Sequence, residues 1–175
     1  MTAPSALSGD VPDATSKQPE AIVLRPMRPD EFAAYLEYFI PDYAAEIASN
    51  YGLSASAAES RAQREVTEDL PLGSNSPGQT LLCITMDETL IGYFWIRILA
   101  DPEIAFVADF HILQAHQGQG LGRQALAALE ARLALQGIRH LRLRVAADNA
   151  RALHLYKSGG FCTTGINMSK PIGGE

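Results

Sequence analysis

Two polar residues, Asp109 and His111, interrupt an otherwise apolar run from Ile104 to Ile112. Side chains two apart on a β-strand point to the same face, so the run predicts a carboxyl and an imidazole side by side. Such a buried pair is costly unless it is partnered or open to a cleft. Because imidazole has an ordinary pKa of about 6.5, the pair could remove a proton from an amine near neutral pH. A satisfied core pair, or an aspartate bonded to a neighbouring backbone turn, explains the same pattern.

A glycine-rich turn follows this run and leads into a helix predicted over residues 120–136. It consists of Gln117, Gly118, Gln119, Gly120, Leu121, Gly122 and Arg123. Glycine lets an anion approach the backbone, and the first N–H groups of a helix have no helical partner, so the turn predicts a pyrophosphate site. Gln117 and Gln119 could donate to phosphate, and Arg123 adds positive charge. The alternative is a turn that only connects strand to helix tightly.

The turn does not match the common nucleotide-binding motifs. It lacks the lysine and hydroxyl of GxxxxGK[ST], and Arg123 stands where GxGxxG requires its third glycine. A dinucleotide-binding fold would also have its glycines after the first strand, whereas here they come late. A nicotinamide-binding protein is therefore only a minor alternative.

The apolar periodicity of the remaining chain predicts an α/β (α+β) arrangement. We predict strands over residues 21–25, 81–86, 90–98, 104–112, 140–145 and 161–170. We predict helical pieces over residues 30–39, 43–51, 54–69, 120–136 and 149–156, with Pro41 interrupting the first piece or opening the second. Residues 1–20 are rich in Pro, Ser, Ala and Asp and predict a disordered leader, which leaves residues 21–175 as a single domain.

Composition excludes several classes of protein. The chain has 175 residues, of which 47% are hydrophobic and 19% charged, with a formal net charge of −6. The acidic balance argues against a nucleic-acid partner, and no apolar run approaches the ~20 residues that cross a bilayer. The N-terminus lacks the features of a secretory signal, and Cys83 and Cys162 have no metal or CxxC spacing. We therefore expect a cytoplasmic protein without a bound metal or a membrane partner.

Two motifs together resemble the GCN5-related N-acetyltransferase (GNAT) superfamily, in a bacterial single-domain form. Gln117, Gly120 and Gly122 match its [QR]xxGx[GA] motif, and residues 149–161 match every fixed position of its NxxAxxLYxxxGF signature. The resemblance implies a mixed, mostly antiparallel, twisted sheet of six to seven strands flanked by helices, with the fourth and fifth strands splayed apart. It also implies acetyl-CoA as cofactor and transfer of an acetyl group to a primary amine of a small molecule, peptide or protein in a ternary complex. A non-catalytic acyl-CoA-binding regulatory module of the same fold is the alternative.

The resemblance also implies roles for individual residues. The pantetheine arm would lie against the backbone of Ile112, Leu113 and Gln114 and near Asn149 and Ala152. The pyrophosphate would be bound by N–H groups of Gly118, Gln119, Gly120, Leu121, Gly122 and Arg123. Tyr156 would act as general acid for the departing thiolate. Many family members carry a glutamate on the fourth strand, and here Asp109 and His111 are the nearest candidates for a base. A water-relayed base, or an amine that arrives partly neutral, would serve equally.

The amine acceptor is expected opposite the cofactor, beside the early helices. That region contains Tyr35, Glu37, Tyr38, Asp42, Tyr43, Glu46 and Tyr51, with Trp95 on a nearby strand. Acidic and aromatic side chains attract a cationic amine, although a solvated helix face explains the same residues. The resemblance further implies a homodimer.

Overall fold

A five-stranded mixed sheet forms the centre of the protein in a computed structural model that describes residues 21–170 and Ile172. Its strands are β1 Ile22–Pro26, β2 Gln79–Met86, β3 Thr89–Ile98, β4 Ile104–Ile112 and β5 His140–Leu143. They lie in the order β1-β2-β3-β4-β5; neighbours among the first four are antiparallel, and β5 is parallel to β4. The leader expected over residues 1–20 lies outside the described residues, as do residues 171 and 173–175.

Four α-helices cover the sheet: α1 Phe32–Tyr51, α2 Ala55–Asp69, α3 Leu121–Leu135 and α4 Ala150–Ser158. Two of them begin with a side-chain cap, at the first residue of the range predicted from the sequence. Ser54 Oγ accepts the N–H of Ala57 at 3.3 Å, and Asn149 Oδ1 accepts the N–H of Ala152 at 3.0 Å. No helix in the described segment is both long and apolar enough to cross a membrane.

The core has one layer on each face of the sheet. Leu121, Leu129 and Leu133 of α3 pack on one face against buried strand residues such as Phe94 and Val107. The other face is covered by α1 and α2, and its cluster contains Met27, Tyr35, Phe39, Val66, Leu70, Leu81, Cys83, Tyr93 and Trp95. Each fully buried large side chain contributes about 1.5–3 kcal/mol, so both layers hold the sheet firmly.

A β-bulge interrupts β4 at its centre. Trp95 of β3 is opposite Asp109, but the next residue, Ile96, is opposite Val107, so Ala108 is an extra residue. A bulge bends the strand and changes the face on which side chains lie. Val107 belongs to the core layer of α3, whereas Ala108 already packs in the layer of α1. Asp109 and His111, opposite Trp95 and Tyr93, therefore face α1.

The parallel pairing of β4 and β5 stops at the same point. Only Ile104–Val107 pair with His140–Leu143, and the second half of β4 has no partner strand on that side within the described segment. A cavity opens there between residues 107–112 and residues 143–146. The expected splay of the fourth and fifth strands is confirmed.

Two expectations about the elements were wrong. The sheet has five strands where six to seven were expected, because residues 161–170 form no regular structure. Ile166 and Met168 alternate like strand residues but are 81% and 93% exposed, so the alternation creates no buried face. Pro41 neither interrupts nor opens a helix but lies inside α1. The carbonyl that Pro41 leaves without a donor belongs to Glu37, and both residues are exposed, so water can satisfy it.

We predict that Gly92→Ala destabilises the fold. Gly92 lies on β3, and a Cβ there would be 2.2 Å from the carbonyl oxygen of His111, so β4 would have to move. Overpacking of this kind costs about 1–3 kcal/mol, which urea unfolding can measure. Gly165→Ala is the control, because its Cβ would meet nothing within 4 Å. Equal free energies of unfolding for the two variants would contradict the close approach.

Candidate active site

A cavity of about 900 Å³, which we call the cleft, occupies the gap between β4 and the residues that follow β5. Its walls come from the second half of β4, the glycine turn, the start of α3 and one side of α4. Among the predicted site residues it is lined by Asp109, His111, Ile112, Gln117, Gly118, Gly120, Leu121, Gly122, Arg123, Asn149, Ala152 and Tyr156. Most of the residues singled out from sequence thus meet around one cavity.

The glycine turn presents free backbone donors at one end of the cleft. Gly118 and Gly120 have φ of 78° and 77°, in the left-handed region that favours glycine. No hydrogen bond among the described residues uses the N–H of Gly118, Gln119, Gly120, Leu121 or Gly122. Five consecutive free N–H groups at a helix N-terminus form a site suited to an anion such as pyrophosphate.

The two glutamines of the turn each use one amide donor within the turn. Gln117 donates through Nε2 to the carbonyl of Ile112 at 2.7 Å, and Gln119 donates to the carbonyl of Ala115 at 3.2 Å. Both amides therefore stabilise the turn, and their donation to a phosphate stays a prediction. Arg151, which the sequence reasoning missed, donates to Oε1 of Gln117 at 2.6 Å and lines the cleft.

Of the three residues expected along the pantetheine, only Ile112 lines the cleft. Leu113 donates its N–H to the carbonyl of Ile91 at 2.8 Å and packs in the layer of α1. Gln114 begins a 3₁₀ turn and is exposed. Backbone pairing of the pantetheine arm with β4 therefore stays a prediction, and of the three residues it concerns only Ile112. The carbonyl of Ile112 also accepts a hydrogen bond from the side chain of Gln117.

Asp109 is held by two tyrosines of α1. The hydroxyls of Tyr35 and Tyr38 donate to its two carboxyl oxygens at 3.2 and 3.1 Å. Burial raises the pKa of Asp109 to about 7, against the opposing effect of these hydrogen bonds, and the charge of Asp42 adds to the increase. A carboxyl with this pKa exchanges its proton near neutral pH, as a general base must.

His111 shares a face of β4 with Asp109, as predicted, but the two side chains have different contacts. Its ring stacks on Tyr38 with 3.8 Å between centroids, and burial lowers its pKa, so it is neutral at physiological pH. Among the described residues, no hydrogen bond joins it to Asp109. The two groups are therefore distinct candidates for the base.

Tyr156 extends from α4 into the cleft. Burial, with a smaller effect from the charge of Asp109, raises its pKa to about 12. Its ring lies 5.5 Å from that of Phe161, and its hydroxyl has no hydrogen-bond partner within the described part of the chain. A protonated hydroxyl that is free to donate is suited to a general acid.

A second cavity, of about 340 Å³, meets the cleft at Asp109; we call it the acidic–aromatic pocket. The lining of both cavities includes Asp42, Glu46, Val107, Ala108, Asp109 and Arg144. The pocket is also lined by Phe39, Tyr43, Ile47, Tyr51, Glu65, Val66, Asp69, Trp95, Arg97 and Phe106. Most residues expected on the acceptor side thus line the acidic–aromatic pocket. Tyr35 and Tyr38 contact Asp109 instead, and Glu37 is exposed and lines neither cavity.

The hydrogen bonds from the two tyrosines to Asp109 were not predicted from the sequence. Tyr35 and Tyr38 are three apart and thus share a helical face, which is a usable signal, but Asp109 is 74 and 71 residues away. The sequence reasoning also missed Arg97 and Arg144, whose pairing partners lie on α2 and α1.

We predict that the Asp109 carboxyl titrates with a pKa of about 7 in the free protein, measured from its carboxyl carbon by NMR. Tyr38→Phe removes a donor that favours the charged form and should raise this pKa by about one unit. Tyr93→Phe is the control, since Tyr93 stacks on Tyr38 but donates nothing to Asp109. A pKa of about 4 for Asp109 would contradict this description of the site.

Known proteins are similar to this chain in both sequence and architecture. A sequence model of the acetyltransferase (GNAT) family matches residues 41–161. The chain is 35% identical over 156 residues to YycN, an N-acetyltransferase of Bacillus subtilis strain 168, covering 86% of this chain and 99% of that one. YdgE, an N-acetyltransferase of the same organism, is 28% identical, with coverage of 87% and 99%.

Solved structures agree in fold. The crystal structure of YycN from Bacillus subtilis superposes with a TM-score of 0.82 at 34% identity, over 87% of this chain and 99% of that one. The PaiA N-acetyltransferase of Thermoplasma acidophilum, solved with coenzyme A, has a TM-score of 0.64 at 19% identity, with coverage of 84% and 93%. Because the family model matches residues 41–161 and YycN is 35% identical over most of both chains, the chain belongs to the acetyltransferase (GNAT) family: it is an N-acetyltransferase whose cosubstrate is acetyl-CoA.

Proposed function

We propose that the protein transfers the acetyl group directly to a primary amine of a small molecule or peptide while both substrates are bound. The observation that carries the proposal is the position of Asp109, a carboxyl with a near-neutral pKa, where the cleft meets the acidic–aromatic pocket. A cosubstrate in the cleft and an amine in the pocket would both reach this residue. Asp42 and Glu46 also line both cavities, but among the described residues only Asp109 accepts hydrogen bonds from Tyr35 and Tyr38.

The residues of the cleft fit coenzyme A. A diphosphate is a doubly anionic group, and the five free N–H groups of residues 118–122 supply donors for it. Arg151 adds a cation at the same wall. The open edge of β4 at Ile112 and the nearby α4 residues Asn149 and Ala152 would hold the pantetheine arm.

Asp109 would act as the general base. Acetyl-CoA supplies an activated acetyl thioester, which an amine attacks only through a nitrogen that has lost its extra proton. The carboxylate of Asp109 would accept that proton, and Tyr35 and Tyr38 would keep its two oxygens in place. His111 would serve as a neutral neighbour stacked on Tyr38, and not as the primary acceptor of the proton.

Tyr156 would act as the general acid for the thiolate. A thiolate leaving into a partly buried cleft is stabilised by a nearby proton donor. With a pKa of about 12, the Tyr156 hydroxyl keeps its proton at neutral pH and can donate it to sulfur. Burial and the charge of Asp109 are the two causes that keep this proton in place.

Direct transfer is supported by the positions of the two cysteines. Cys83 is buried beside Glu31, Cys162 is exposed, and neither lines the cleft or the pocket. A thiol that could carry the acetyl group between substrates is therefore not available at Asp109.

The expected homodimer and cytoplasmic location remain proposals drawn from the family resemblance and composition.

We predict that Tyr156→Phe lowers kcat about 100-fold or more for any primary amine that the wild-type protein acetylates. The assay incubates the protein with acetyl-CoA and a panel of small amines and amine-bearing peptides and follows release of free thiol. Tyr93→Phe is the matched control, because it also removes a tyrosine hydroxyl, but Tyr93 lines neither cavity. An unchanged kcat would remove Tyr156 as the acid, and acetyl-CoA binding without thiol release would favour the non-catalytic alternative.

We also predict that Gly120→Ala weakens acetyl-CoA binding about tenfold, measured by calorimetry. Its φ of 77° disfavours any other residue, and since its Cβ would meet no atom within 4 Å, the strain falls on the backbone that presents the free N–H groups. Gly137→Ala introduces the same backbone strain at φ of 82°, beyond the far end of α3. Equal losses of affinity in both variants would attribute the effect to general destabilisation.

A further inference from the structure

The carboxylates of the acidic–aromatic pocket differ in whether they already have a cationic partner. Glu46 is paired with Arg144, and Asp69 lies 3.4 Å from a nitrogen of Arg97. Glu65 accepts from Tyr43 and from Arg61, at 2.7 Å in the latter case. Each of these charges is therefore largely compensated within the protein.

Asp42 is the exception. Its carboxylate has no hydrogen bond or ion pair among the described residues, although it lines both the pocket and the cleft. It lies four residues after Tyr38 on α1, so the two side chains share a helical face. Its negative charge reaches both groups on β4: it adds to burial in raising the pKa of Asp109, and it opposes burial, which lowers the pKa of His111. An exposed carboxylate without a cationic partner among the described residues thus lines the same two cavities as the proposed base.

The walls around these carboxylates already bind cations through aromatic faces. The guanidinium of Arg61 lies 4.4 Å from the ring centre of Tyr51. That of Arg97 lies 5.2 Å from the ring centre of Phe106 and 5.9 Å from that of Trp95. Aromatic faces next to an unpaired carboxylate attract ammonium groups, because ring quadrupole and charge act in the same direction. The same surroundings repel a carboxylate. Of the two arginines in the pocket, Arg144 is paired with Glu46, and Arg97 lies near Asp69 through one nitrogen while its buried Nε has no partner among the described residues.

On the basis of the proposed acetyl transfer, we propose that the acceptor is a primary amine that carries a second cationic group. The reacting amine meets Asp109, and Asp42 binds the second cation in the acidic–aromatic pocket. The pocket volume of about 340 Å³ accommodates a short aliphatic chain between the two nitrogens. Asp42 is then a specificity residue: it selects the acceptor and takes no part in moving the proton.

The test compares three probes of similar length: diaminopentane, pentylamine and aminopentanoate. Thiol release with saturating acetyl-CoA gives kcat/KM for each, in the wild type, in Asp42→Asn and in Glu37→Gln. Glu37 is an exposed carboxylate of the same helix that lines neither cavity, so Glu37→Gln makes the same change in net charge without touching the pocket. We expect the diamine to be preferred over both other probes by about tenfold or more. Asp42→Asn should remove about tenfold of that preference, whereas Glu37→Gln should leave it unchanged.

The ratio of diamine to monoamine separates recognition from chemistry. Loss of the Asp42 charge also alters Asp109, but that effect is common to both amines and cancels in the ratio. The inference is overturned if pentylamine or aminopentanoate is used as well as the diamine, or if Asp42→Asn lowers all rates equally.

Calorimetry on the complex of the protein with CoA supplies a readout without turnover. Binding of diaminopentane that depends on Asp42, without thiol release from acetyl-CoA, would overturn the proposed transfer and with it the role of the diamine as acceptor, and would leave only a cation-binding role for Asp42. Thiol release with pentylamine but no preferential binding of the diamine would overturn this inference and leave the proposed transfer standing. Absence of both binding and thiol release would overturn the two together.

Discussion

The candidate site depends on a single irregularity at the centre of β4. Up to Val107 the strand has partners on both sides; at Ala108 it bulges, and from there it keeps only β3. The bulge aims Ala108 and Asp109 toward α1, and the lost pairing with β5 opens the cleft. One irregularity therefore supplies both the reactive carboxyl and the space beside it. Sheet bulges often re-aim a side chain in this way next to an active site.

The surroundings of Asp109 balance opposing effects. Burial and the charge of Asp42 favour its neutral form, whereas the hydroxyls of Tyr35 and Tyr38 favour the carboxylate. Without the tyrosines the group would stay protonated and could not accept a proton; in water it would be ionised but too weak a base. The aromatic layer under α1 is thus both core and active-site support. Tyr35 stacks on Phe39 and meets Tyr93 edge-on, and Tyr38 stacks on Tyr93, so these rings hold the two hydroxyls in position.

Local signals in the sequence predicted much of this arrangement. The apolar run gave β4 with its observed ends, and Ser54 and Asn149 marked the starts of α2 and α4. The alternating glycines located the turn whose backbone N–H groups are free among the described residues. Features that depend on tertiary contacts were not predictable in the same way. Val107 and Ala108 are both apolar, so nothing in their pattern reveals which one is the extra residue of the bulge. The hydrogen bonds of the Gln117 and Gln119 amides were not predictable either, because their acceptors, the carbonyls of Ile112 and Ala115, come within reach only when the turn is folded.

The raised pKa of Asp109 makes the stability of the fold depend on pH. Its pKa rises from an ordinary 3.8 to about 7 on folding, so between these pH values the folded state binds more protons than the unfolded chain. The free energy of unfolding therefore falls as pH rises through this range, and the contribution present at low pH is lost above about 7. At the pH where the carboxylate can accept a proton, the fold carries the cost of burying its charge. The two core layers must supply that free energy, which explains why a sheet covered on both faces surrounds a site that is itself unfavourable.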